Sequence, residues 1–257
     1  MPTDNQQQPI IELKQARKVI ETGDERKVIL DDVSLKIYAG DFITILGGNG
    51  AGKSTLFNAI SGNLTLTSGS VWIQGIDVTK QSPEKRAAHI ARVFQDPKMG
   101  TAPRMTVAEN LAIAAYRGKK RSLRLRQISK YKQQFSEFVA QIGNGLAQHL
   151  DTPTGNLSGG QRQALSLLMA TILAPDLLLL DEHTAALDPK TSVALMTLTD
   201  ELISQQQLTA LMITHHMEDA LKYGNRLIVM KQGQIVQDLA AVDKQEMKLE
   251  DFYRIFD

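Results

Sequence analysis

The chain contains no cysteine. A disulfide framework, a thiolate zinc site, an iron–sulfur cluster and a cysteine nucleophile are therefore excluded. It also lacks any apolar run near the ~20 residues that a membrane-crossing helix needs. Its longest charge-free stretch, 54–76, is broken by Ser, Thr, Gly and Asn. The opening MPTDNQQQPI has neither a basic n-region nor an apolar h-region, so no secretion signal is expected and the expected compartment is the cytosol. Net charge is only +1. No global field draws such a chain to nucleic acid, and no nucleic-acid partner is expected.

What is present is ordinary for a globular protein: 257 residues, 42% hydrophobic and 22% charged. That excludes a disordered chain, a collagen-like repeat and a coiled-coil rod, and fits one large α/β domain or two modest ones. One segment departs from the average. Residues 117–132 carry Arg117, Lys119, Lys120, Arg121, Arg124, Arg126, Lys130 and Lys132 and no acid. Two readings stand: a solvated helix face, or a patch facing anionic lipid or an acidic partner.

Short β-rich runs alternate with helical ones. Strands are expected at 10–13, 28–37, 42–46, 71–73 and 90–94, with helices over 54–60 and just after Pro83. From 96 to about 157 strand signals vanish. Thr106-Val-Ala-Glu109 is a capping box, and a longer helical pattern runs through Leu125, Ile128, Tyr131, Phe135, Phe138, Val139 and Ile142 to a stop at Gly143-Asn144-Gly145. Alternation then returns: a helix over 160–173, a strand at 177–180, a helix from Pro189, a strand at 209–214, a helix near 218–223, and a strand at 227–230 before a hairpin turn. The last residues, 245–257, read as an amphipathic helix with Met247, Phe252, Ile255 and Phe256, docking on the chain's own core.

Gly47-Gly48-Asn49-Gly50-Ala51-Gly52-Lys53-Ser54 fits G-x-x-x-x-G-K-[ST], between an expected strand and an expected helix. Glycines let successive N–H groups face an anion, and the helix start adds its dipole. Lys53 would reach the β- and γ-phosphates, and the Ser54 hydroxyl would ligate Mg²⁺. The run Leu177–Leu180 carries Asp181 to a strand end as the metal carboxylate, and Glu182, one residue on, could polarise a water. Together these features indicate a nucleoside triphosphate hydrolase. No N-K-x-D motif reads guanine, which disfavours a GTPase. The histidine spacing, including His215-His216, offers no zinc site.

Leu157-Ser158-Gly159-Gly160-Gln161 opens another helix, with Ser158 as N-cap and Gln161 closing a capping box. A second phosphate-binding helix start without a second lysine is explained economically if it completes the site of another copy. A merely well-capped helix is the plainer alternative.

The run LSGGQRQALSLLMATILAPDLLLLDEHTAALDP resembles the nucleotide-binding domain of ATP-binding cassette (ABC) proteins. The resemblance covers about 10–237 as one domain, with a helical subdomain at 96–157, a polar leader at 1–9 and a short helical extension at 238–257. It implies an α/β P-loop NTPase core with an N-terminal antiparallel β subdomain and an inserted α-helical subdomain. Gly47–Ser54, with Thr55 following, matches Walker A, Leu157–Gln161 the signature loop and Leu177–Asp181 Walker B. Glu182 falls at the catalytic base position. Gln95 matches the Q-loop residue that touches Mg²⁺ and the attacking water, Asp188 the D-loop, and His215 the switch histidine. The resemblance further implies a head-to-tail homodimer holding two ATPs with Mg²⁺. Each ATP would lie between one chain's Walker A and its partner's signature loop, contacted in trans by Ser158, Gly159, Gly160, Gln161 and Asp188. Such subunits sit peripherally on the cytoplasmic face of the membrane, docked on transmembrane permease subunits.

The chain departs from the family pattern in three places. No aromatic stands near 19–20 to stack on adenine, so Ile20 is expected to make only an apolar contact. His183 replaces the usual Pro after the base, and is expected to be a packing or hydrogen-bonding substitute. Ala164–Ala170 departs from the commoner basic run. The His183 and Ala164–Ala170 variants are similar to a bacterial subgroup paired with a permease and a substrate-binding lipoprotein, which favours import of a small solute such as an amino acid. An exporter, a lipid-extraction ATPase and a soluble iron–sulfur-assembly ATPase share the motifs and remain the alternatives.

Overall fold

A computed structural model of the chain describes residues 8–23, 25–119, 128–140 and 145–256; for 128–130 and 253–256 it describes the backbone alone. In chain order the elements are β1 (Ile11–Thr22), β2 (Glu25–Ile37), β3 (Phe42–Leu46), α1 (Lys53–Ser61), β4 (Ser68–Ile73), β5 (Ile76–Asp77) and α2 (Pro83–Arg86). Next come β6 (Ile90–Val93), α3 (Val107–Ala114), α4 (Ile128–Ala140), α5 (Gly159–Thr171), β7 (Leu177–Asp181) and α6 (Pro189–Gln205). The chain closes with β8 (Ala210–Ile213), α7 (Met217–Lys222), β9 (Arg226–Lys231), β10 (Gln234–Leu239), α8 (Ala241–Glu246) and α9 (Leu249–Phe256). They form two compact units, one within Met1–Arg86 and Leu208–Asp257, the other within Ala87–Gln207.

The first unit holds an antiparallel sheet ordered β2-β1-β4-β5 and a second set of strands ordered β10-β9-β3-β8. In the second set β9, β3 and β8 run parallel, and β10 returns antiparallel through the tight turn after Lys231. All five residues of β3 and all four of β8 are buried, as expected for parallel strands covered on both faces. Strand β1 is longer than the four residues its sequence suggests. Its buried residues fall at Ile11, Leu13, Ala16 and Val19, with register shifts after Leu13 and Ala16 and a left-handed Gln15. These bulges break the period of two on which strand recognition depends.

In the second unit β6 and β7 pair in parallel, and β7 is buried throughout. Among the described residues no strand lies between Val93 and Leu177, in agreement with the helical stretch expected there. The Thr106–Glu109 capping box forms as expected. The expected helix through 125–142 is seen as α4, and 125–127 and 141–144 lie outside the described residues.

The basic stretch is corrected in part. Arg117 is not a surface charge facing lipid: its guanidinium donates to the Ala170 carbonyl at 2.8 Å and to that of Leu173. Burial lowers its pKa. Lys132 pairs with Asp151 at 2.6 Å, and Lys119 lies over the Tyr116 ring. Lys120, Arg121, Arg124 and Arg126 lie outside the described residues, as does the side chain of Lys130. The C-terminal docking expectation holds for Phe252, which is fully buried against Leu46, Ala220, Leu227 and Val229 with Met247 beside it. The side chains of Ile255 and Phe256 lie outside the described residues.

Candidate nucleotide site

In the first unit the chain leaves buried β3 at Leu46 and turns through Gly47–Gly52 into α1. Gly52, the helix N-cap, has φ +99°. A Cβ there would also meet the Ile29 carbonyl oxygen at 2.8 Å, so only glycine fits. A Cβ at Gly47 would lie 2.5 Å from the Met230 carbonyl oxygen. The loop thus packs on β2 and on the β9–β10 turn, whose Gly233 N–H donates to the Ala51 carbonyl. Gly48, Asn49, Gly50 and Ser54 face solvent, Thr55 is half-buried, and Lys53 is buried. The Lys53 ammonium donates to the carbonyls of Gly47 at 2.6 Å and Gly48 at 3.1 Å. A cation is therefore held inside a loop whose exposed N–H groups and helix start already favour anions.

His215 joins this set through the sheet. β8 lies beside β3 in parallel, with Ile213 opposite Ile45, so the residues just past both strands share one edge. His215 is exposed there. Ile20 is 45% exposed on β1, opposite Lys27, and carries no aromatic surface.

The second unit repeats this arrangement with other chemistry. Val93 pairs with Leu180, so Gln95, two residues past β6, and Asp181 and Glu182, at the end of β7, share an edge. Gln95 is exposed and Asp181 nearly buried. The Asp181 carboxylate accepts from the Arg92 guanidinium, which lies over the Phe94 ring. Glu182 has φ +47°. That left-handed conformation costs a non-glycine residue about 1–2 kcal/mol and turns the side chain sharply off the strand direction.

Ser158 and Gln161 form the expected reciprocal capping box at the start of α5, each contact 3.2 Å, with Ser158 and Gly159 exposed. At Gly160 helices α5 and α6 pack closely, since a Cβ there would lie 2.4 Å from the Thr191 methyl on α6. Asp188, exposed, caps α6 by accepting from the Thr191 N–H at 3.1 Å, and the Thr191 bonds hold its pKa down. His183 is buried, with its Nε2 2.9 Å from the Thr199 hydroxyl, as the packing role anticipated.

Gly47–Thr55 and His215 thus gather at one edge in the first unit. In the second unit Gln95, Asp181 and Glu182 gather at the end of the β6–β7 pair, and Ser158–Gln161 packs beside the Asp188 cap. Ser54 in the first unit, and Asp181 and Gln95 in the second, each carry the kind of hard oxygen donor that Mg²⁺ takes. Among the described residues no cluster of three His, Cys, Asp or Glu forms a metal cage.

Two polar contacts escaped the sequence reading. Arg92 was hidden as one charge in the apolar run Ile-Ala-Arg-Val-Phe, and Gln163 as a polar residue among the apolar positions of α5.

The family model described as "ABC transporter" matches residues 30–185, more than half of the chain. The chain is 42% identical over 234 residues to the tyrosine transport ATP-binding protein of Clostridioides difficile (strain R20291), covering 91% of this chain and 92% of that protein. It is 36% identical over 202 residues to the thiamine import ATP-binding protein ThiQ of Escherichia coli (strain K12), covering 79% and 82%. Among solved structures, it resembles a dimeric ATP-binding cassette in a post-hydrolysis state bound to ADP and Pi. The TM-score is 0.75 at 27% identity, covering 90% of this chain and 98% of that one.

Proposed function

The chain belongs to the ABC transporter family, and from that membership we propose that it powers a multi-subunit importer of a small solute, with an amino acid as the cargo class. It is an ATPase that uses Mg²⁺. Gly47–Ser54 and Thr55 bind the phosphates, with the Lys53 ammonium turning from its own loop carbonyls to the β- and γ-oxygens. Ser54, Asp181 and Gln95 supply oxygens to the metal, whose chemistry is to neutralise charge as the γ-phosphoryl leaves. Glu182 accepts a proton from the attacking water as the bond from the γ-phosphorus to its bridging oxygen breaks, and His215 contacts the γ-phosphate. Ile20 makes an apolar contact with the base.

The observation that carries this reading is the coexistence in one chain of a lysine-bearing cradle and a second, exposed helix start at Ser158–Gln161. The second completes the site of a partner copy, so Ser158, Gly159, Gly160, Gln161 and Asp188 act in trans in a homodimer. The dimer lies peripherally on the cytoplasmic face of the membrane, bound to permease subunits and working with a substrate-binding lipoprotein. Import and an amino-acid cargo are supported by the names of the relatives, one given to tyrosine transport and one to thiamine import.

Nucleotide binding and turnover of the purified chain test the site. Lys53→Ala weakens ATP binding about tenfold or more, the worth of a charge-assisted hydrogen bond. Glu182→Gln keeps binding and lowers turnover about 100-fold or more. Wild-type turnover in Glu182→Gln removes the base assignment. Co-purification from the native membrane tests the assembly: a permease with a binding lipoprotein supports import, and only soluble partners would overturn transport.

A further inference from the structure

Gln163 stands on α5, in the turn that follows the Ser158 cap, and is 1% exposed. Its Nε2 donates to the Phe94 carbonyl at 2.8 Å. Phe94 is the residue immediately before Gln95. The amide nitrogen must face that carbonyl, because the alternative sets two oxygens against each other. Among the described residues the Gln163 Oε1 is then buried with no hydrogen-bond partner. An orphaned buried acceptor lowers stability, whereas an apolar side chain of equal length would leave none. Folding stability alone therefore does not account for an amide here.

The neighbouring side chain completes the arrangement. Arg162 donates to the carbonyls of Thr154 at 3.0 Å and Gly155 at 2.8 Å, in the segment leading into Leu157. Successive residues on a helix point about 100° apart. Arg162 thus holds the start of α5 to the loop before it, while Gln163 holds the same turn to the end of β6.

We propose that Gln163 is a positioning residue that latches the Gln95 segment to α5, so that Gln95 and the Ser158–Gly160 loop move as one body when the nucleotide site closes. This rests on the roles proposed above for Gln95 and Ser158–Gly160. The latch transmits geometry between the residue that meets the attacking water and the loop that meets a partner's nucleotide. Buried as it is, Gln163 does not itself touch ATP.

Steady-state ATP hydrolysis by the full-length chain tests it with two substitutions. Gln163→Met removes the donor and the orphaned acceptor together at nearly constant length. Gln163→Glu keeps the shape but turns a carboxylate oxygen toward the Phe94 carbonyl, and it serves if the first variant fails to fold. In both, kcat falls about tenfold, the worth of a positioned hydrogen bond, while KM for ATP stays within about twofold. The melting temperature of Gln163→Met equals or exceeds that of the wild type. A Gln163→Met protein with wild-type kcat overturns the latch, as does one whose kcat falls only in step with a lowered melting temperature. Wild type and Glu182→Gln are run alongside. Full turnover in Glu182→Gln, or none in the wild type, removes the site reading and the latch with it. An unaffected Gln163→Met beside an inactive Glu182→Gln removes the latch alone.

Discussion

At the scale of single residues, His183 shows how a substitution in a motif is absorbed. The Thr199 hydroxyl donates its proton to the Leu195 carbonyl at 2.8 Å, so in the His183–Thr199 contact the imidazole Nε2 must be the donor. That fixes the neutral tautomer, and burial pushes the imidazole pKa down to about 4. An unfolded chain takes up this proton near pH 6.5, whereas the native chain refuses it until about pH 4. The contribution to stability is therefore complete above pH 6.5 and is lost as pH falls through that window, by about 3 kcal/mol in all. Urea unfolding at pH 7 and pH 5 checks this: His183→Leu has a shallower acid loss than the wild type. Equal losses would mean that the histidine is protonated in the native chain. The residue's packing role was legible from its place after the proposed base, but its partner was not. Thr199 is sixteen positions away on α6, and only the fold brings it near.

At the scale of elements, three helices among the described residues end on a buried or half-buried cation from elsewhere in the chain. Arg86 donates to the Ala59 and Ile60 carbonyls at the end of α1, Arg117 to the last carbonyls around α5, and Lys244 to the Tyr223 and Gly224 carbonyls after α7. Each satisfies C-terminal carbonyls that a helix leaves open and complements its dipole. Burial lowers the pKa of all three, that of Lys244 to about 8. The elements so capped lead into or out of the proposed site: α1 follows the cradle, α5 begins with Ser158–Gln161, and α7 follows His215. The C-terminal helix α9 belongs to the same design, because Phe252 packs on Leu46, the last residue before the cradle. Phe252→Ala lowers unfolding free energy by about 3–5 kcal/mol, measured by urea denaturation at pH 7.5. A loss under about 1 kcal/mol would show that α9 is not docked in solution. The amphipathic pattern at the C-terminus revealed this helix. The capping cations gave no sequence signal, since each reaches a helix that its own position in the chain does not predict.

At the scale of the whole molecule, the proposed function divides between what one chain holds and what a second copy would supply. Ser158 and Gly159 are exposed at the start of α5, while the lysine-bearing cradle is built from other residues, Gly47–Ser54. Ser158→Arg accordingly binds ATP as the wild type does but fails to form an ATP-dependent dimer. Sedimentation with and without nucleotide, in the Glu182→Gln background that slows turnover, checks this. A dimer that still forms and, with Glu182 restored, still hydrolyses ATP would place Ser158–Gln161 outside the site.

Much of this was determined by sequence alone, because the decisive signals are local. A cradle needs glycines, a lysine and a hydroxyl within eight consecutive residues, and a capping box needs two residues three apart. Chain-local geometry enforces both spacings, so Gly47–Ser54 and Ser158–Gln161 were legible along with the buried strands that precede and follow them. Tertiary structure alone decided the contacts between residues distant in the chain. Arg92 on Asp181, Gln163 on the Phe94 carbonyl and Arg117 at the end of α5 join positions 53 to 89 residues apart. Nothing in local spacing marks such pairs. A buried charge or amide must find whichever oxygen the packing brings within reach, and that is settled only when the core closes.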